Sequence, residues 1–79
     1  MSLVPQVPQE SVLHDFGRRL QQLRKARNLR QLDMSGFGLN YKYYQRLELG
    51  QVNPTLLTLY RVAAALGVSV SDFFHPDPE

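Results

Sequence analysis

The 79-residue sequence predicts an all-α fold, a compact five-helix bundle. Apolar residues recur at helical rather than alternating spacing through most of the chain. Each such segment is bracketed by a polar capping residue and a glycine or asparagine. No stretch reads as a strand, and no internal repeat is present. A chain this short makes one domain close to the lower size limit for folding on its own core. Its 43% hydrophobic content is enough to fill that core, and with no cysteine it has no disulfide to lean on.

Residues 1–10 read as a flexible N-terminal arm, broken by Pro5 and Pro8. Ser11 is the expected N-cap of the first helix, in which Leu13, Phe16, Leu20, Leu23 and Arg27 share one stripe. Arg18, Arg19, Gln22 and Lys25 take the wet side, and Asn28 closes the helix. A second, short helix is expected from Gln31 to about Phe37, burying Met34 and Phe37 and weakened by Gly36. Gly38 supplies a turn able to take positive φ, and Asn40 caps a third helix, about 41–48, that stops at Gly50. In that helix Tyr44, Leu47 and Glu48 fall on one face, and Lys42 and Arg46, four apart, on the other. Thr55 caps a fourth helix, apolar nearly all round through Leu56, Leu59, Tyr60, Ala63 and Leu66 and therefore expected at the centre. Ser69 and Asp72 resemble a capping box for a last short helix carrying Val70, Phe73 and Phe74. The ordered domain is expected over 11–75, with 76–79 a frayed tail.

The net charge is only +2, but it is unevenly spread. Eight of the nine basic residues lie between Arg18 and Arg46, with Asp33 the one acid among them. That concentration attracts a polyanion even on a nearly neutral molecule. No apolar run approaches the roughly 18 residues of a membrane span, so a soluble, cytoplasmic protein with no membrane partner is expected. Nothing points to an enzyme: His14 and His75 stand at opposite ends, and there is no phosphate loop, nucleophile motif or metal-ligand set, hence no cofactor.

Two short helices joined by a glycine turn, the second cationic on its outer face, form a helix-turn-helix. The residues go further. Leu20-x-x-Leu23-Arg24, Asn28-Leu29-x-Gln31, Gly38, Leu47-Glu48-x-Gly50, Asn53-Pro54-Thr55 and Ala63-x-x-Leu66-Gly67-Val68-Ser69 together resemble the Cro/phage-repressor-type (XRE-like) helix-turn-helix domain, over roughly Leu13 to Phe74.

The resemblance implies a lambda-repressor-like DNA-binding domain that works as a homodimer on a palindromic operator, its third helix in the major groove. Tyr41, Lys42 and Arg46 match base-reading positions; Gln31 matches a glutamine that touches phosphate and can brace the recognition helix. Gln51 and Asn53 lie in the loop that grips phosphate, and Asn40 and Tyr43 complete the DNA-binding set. Tyr41 and Tyr43 could reach DNA with their hydroxyls or shield the second helix with their rings, and the residues leave both open. Arg24 and Glu48 match a pair joining helix one to the end of helix three. Losing one partner would cost about 3–5 kcal/mol if the pair is buried and under about 1 if exposed. The dimer interface is expected at Val70, Phe73 and Phe74. The second reading is a protein-interaction module, an antitoxin or controller protein using the same fold, with a protein partner. RNA is a lesser alternative, since tyrosines can stack on bases but no RNA-module motif is present.

Overall fold

The computed structural model describes residues 8–74, whose regular elements are all helical, with no strand among them. The expected N-terminal residues 1–7 and the tail from His75 lie outside the described residues. The five expected helices resolve into three α-helices and two 3-10 segments: α1 Gln9–Ala26, η1 Gln31–Phe37, α2 Tyr41–Glu48, α3 Leu56–Leu66 and η2 Val70–Phe74.

Helix α1 starts two residues earlier than its expected cap. Pro8 occupies the N-cap position and Ser11 is already helical, so Gln9 and Glu10 belong to the domain rather than to an arm. A proline suits a helix entrance because its missing N–H is not needed there. At the other end the boundary residue is Arg27, and Asn28 follows in the left-handed conformation at φ 58°. The Leu29 amide then returns to the Arg24 carbonyl.

Gln31–Phe37 has the expected bounds but is 3-10 throughout. Ser35 Oγ donates to the Leu32 carbonyl, a bond that competes with regular α geometry, and Gly36 weakens the segment further. The Asp33 carboxylate accepts from the Arg30 amide at 2.7 Å and so tethers its start. Met34 is buried as expected. Phe37 is not: it is the last residue of the segment, next to the Gly38 turn, and stands 47% exposed.

Gly38 at φ 83° turns the chain, and Asn40 Oδ1 accepts from the Tyr43 amide to cap α2. After Gly50, at φ 72°, Thr55 Oγ1 accepts from the Thr58 amide to cap α3. The core holds Phe16 and Leu20 of α1, Met34, Leu39, Tyr44 and Leu47, Val62, Ala63 and Leu66 of α3, and Phe73. Phe16 meets Phe73 edge to face at 5.4 Å and stacks beside Phe74 at 6.2 Å.

Helix α3 is not enveloped. It buries only the Val62, Ala63 and Leu66 stripe, and Leu56, Leu57 and Tyr60 stand 65%, 75% and 59% exposed. The α1, α2 and η2 elements cover one of its sides only, so an all-round apolar helix is left with an open face.

Candidate nucleic-acid interface

Helix α2 presents two chemically distinct sides, as the angular argument expects. Tyr44, Leu47 and Glu48 face inward; Tyr41, Lys42 and Arg46 face out. No hydrogen bond or ion pair among the described residues ties down Lys42 or Arg46, so both cations are free to meet an anion. Tyr43 lies half-buried against the core.

The inner side is locked by a buried charge pair. Arg24 Nε donates to Glu48 Oε2 at 2.6 Å and Nη2 to Oε1 at 3.0 Å, with the two residues 6% and 9% exposed. Arg24 Nη1 also donates to the Leu29 carbonyl at 2.8 Å, so one guanidinium joins α1, the chain leading into η1, and α2. Burial by itself would raise the Glu48 carboxyl, but hydrogen bonds from Arg24 and Gln31 oppose it and the net effect is a value below the ordinary one. The bond to Glu48 raises Arg24 in turn. Burial, then the neighbouring carboxylate, push the Tyr44 hydroxyl well above the usual phenol range. That hydroxyl lies beside the pair without a hydrogen bond of good geometry among the described residues.

Gln31 braces α2 directly. Its Nε2 donates to Glu48 Oε1 at 2.9 Å, and its Oε1 accepts from Gln45 Nε2 at 3.3 Å. Gln45 Nε2 also donates to Tyr41 Oη at 3.0 Å. Gln45 was not among the residues singled out from the sequence. Its spacing of four from Tyr41 on one helix was the available signal, but a glutamine between two candidate contacts has no distinctive pattern of its own.

Asn40, Gln51 and Asn53 are exposed around the ends of α2. Asn40 Oδ1 is committed to capping. The Gln51 amide returns to the Arg46 carbonyl at 2.9 Å, closing the helix, so Gln51 can offer a ligand its side chain but not its backbone N–H. Three other arginines are engaged within the chain. Arg19 Nε donates to the Asp72 carbonyl at 2.8 Å and Arg27 Nη2 to the Gly67 carbonyl at 3.1 Å, stitching α1 to the C-terminal half. Arg30 pairs with Asp33 at 2.9 Å. Arg18 is exposed.

Phe73, expected at a dimer interface, is closed into the core of its own chain at 2% exposure. Val70 is half-buried against the same core, and Phe74 remains exposed.

Comparison with known proteins agrees with this geometry. The helix-turn-helix family model matches residues 20–73. An uncharacterised HTH-type transcriptional regulator, y4dJ of Sinorhizobium fredii, is 38% identical over 64 residues, 80% of this chain and 83% of its own. The control protein C.MunI of a Mycoplasma species is 33% identical over 63 residues, covering 75% of this chain and 82% of its own. Among solved structures, the restriction-modification controller protein C.AhdI of Aeromonas hydrophila superposes with a TM-score of 0.78 at 34% identity, over 81% of this chain and 98% of that one.

Proposed function

The chain belongs to the helix-turn-helix family of DNA-binding transcriptional regulators, and from that membership we propose that it reads a palindromic operator as a homodimer, with α2 in the major groove. It is a regulator and not an enzyme. The observation that carries the proposal is the outer face of α2: Tyr41, Lys42 and Arg46 side by side, on a helix whose inner face is clamped to α1.

Lys42 and Arg46 have the donors to read guanine O6 and N7, the commonest specific contact. Arg18, with the side chains of Gln51 and Asn53, supplies backbone attraction that sets register without reading sequence. A single eight-residue recognition helix offers few base contacts, and two half-sites roughly 34 Å apart multiply them. Such a regulator works in the cytoplasm beside the DNA it binds. Among the described residues no helix is long and apolar enough to cross a membrane.

One of the similar proteins is named a control protein and another a restriction-modification controller protein. We extend that to this chain as a second reading, in which the operator lies upstream of genes whose dosage must be limited.

Selection from a random duplex library at near-physiological salt tests the proposal, with Lys42→Ala and Arg46→Ala beside the wild type. The expected result is an enriched palindrome whose preference relaxes at particular positions in each variant, at about 1–3 kcal/mol per lost base contact. Binding without an enriched motif, fading uniformly as salt rises, would reject sequence reading.

A further inference from the structure

We infer that Gln45 is a positioning residue of the DNA interface, which holds the Tyr41 hydroxyl and aims its proton outward as a hydrogen-bond donor. The inference rests on the DNA-reading role of α2 and adds to it a direction for one proton.

The direction follows from a chain of bonds that begins at the buried ion pair. A carboxylate accepts and cannot donate, so Glu48 Oε1 obliges Gln31 to present its amide nitrogen, at 2.9 Å. The Gln31 oxygen is thereby turned toward Gln45, and that oxygen obliges Gln45 to present its own nitrogen, at 3.3 Å. The same nitrogen carries two hydrogens, and the second goes to Tyr41 Oη at 3.0 Å. Reversing either amide would set oxygen against oxygen, at Glu48 or between the glutamines. The Tyr41 oxygen is therefore an acceptor within the protein, and its own proton is left to point away from Gln45.

Tyr41 is 38% exposed on the first turn of α2, next to Lys42, on the side turned away from the core. Its proton can satisfy an acceptor on the duplex: a base edge in the groove, such as guanine O6 or N7 or thymine O4, or a phosphate oxygen. Because the hydroxyl is pre-oriented, little rotational freedom is lost on contact. A hydroxyl whose proton points outward favours a base edge presenting an acceptor, the same preference that Lys42 and Arg46, themselves donors, carry.

The test measures operator affinity and library preference for wild type, Tyr41→Phe, Gln45→Met and the double variant, with Lys42→Ala alongside. Melting curves separate loss of fold from loss of contact. Tyr41→Phe and Gln45→Met are each expected to weaken binding about 3- to 10-fold per half-site. The double variant should be no weaker than Tyr41→Phe alone, because the two act through one bond. A base-edge acceptor shows as altered preference at one operator position, the same in both variants; a phosphate acceptor shows as an equal loss on every sequence. In neither case does the salt dependence change, since the donor is neutral, whereas Lys42→Ala flattens it.

Unchanged affinity and preference in Tyr41→Phe would overturn the proposal while leaving the DNA-reading role intact, provided Lys42→Ala still loses binding. Additive losses in the double variant would overturn the positioning role of Gln45. A wild-type chain that selects no sequence, with Lys42→Ala indistinguishable from it, would overturn both readings together.

Discussion

Glu48 carries the heaviest demand of any single residue in this chain. It accepts from Arg24 and Gln31 and so links α1, η1 and α2 while holding a buried positive charge in balance. Its carboxyl titrates below the ordinary value of 4.5 in the folded chain despite its burial. A depressed folded-state value means stability that is complete above the unfolded value and lost as the pH falls through the folded one. Glu48→Gln should therefore cost about 3–5 kcal/mol at neutral pH, because Arg24 is left buried and unpaired. Denaturant midpoints taken from pH 7 down to about pH 2 should converge for wild type and variant as the wild-type carboxylate is protonated. A parallel offset at every pH would show that the charge of Glu48 is not what stabilises the fold.

At the scale of elements, the position of α2 depends on how closely α1 can approach it. Gly17 sits mid-helix in α1 where a Cβ would lie 2.7 Å from the Leu47 carbonyl oxygen and nearer still to that of Glu48. A glycine inside a helix gives up as much as about 1 kcal/mol relative to alanine. Here that deficit allows backbone contact at the foot of the recognition helix. Gly17→Ala gains the propensity term but forces two backbones apart, and overpacking of this kind costs about 1–3 kcal/mol or more. The expected outcome is a melting temperature lowered by several degrees. Operator binding should weaken as well, since α2 moves relative to the loop that carries Gln51 and Asn53. A raised melting temperature would mean that the α1–α2 crossing gives way at little cost.

For the whole molecule, the open question is what covers α3. Leu56, Leu57 and Tyr60 form an exposed apolar face on one helix, while Phe74, the other candidate, is partly engaged with Phe16. Under the proposed homodimer, a second copy of the chain is the occupant expected on this face. Leu57→Glu and Tyr60→Glu should shift sedimentation from dimer to monomer and reduce operator affinity. Neither should lower the melting temperature of the monomer, because neither side chain is in the core. Unchanged sedimentation in both, with a monomeric Phe74→Glu, would move the interface to the C-terminal segment.

Much of this architecture follows from local chemistry that a sequence carries openly. Asn40 and Thr55 cap because their side-chain oxygens suit an N-cap, Gly38 and Gly50 turn because only glycine takes those φ values cheaply, and Tyr44, Leu47 and Glu48 face inward by helical angle alone. The family resemblance added the Arg24–Glu48 pair, which no periodicity could have joined across 24 residues. Tertiary structure decided the rest, and in each case through a partner distant in the chain. Phe73 and Phe74 are adjacent and alike, yet one enters the core and the other does not, because the Phe16 ring meets them differently. Helix α3 looks central by composition and is not, because burial depends on how many neighbours surround a helix, and here they cover one side. Arg19 looks like solvated charge, and Arg27 like the end of the apolar stripe, until the folded chain brings carbonyls 53 and 40 residues away within reach. The polarity of the Gln31–Gln45–Tyr41 chain is likewise set at its far end, where a buried carboxylate accepts but cannot donate.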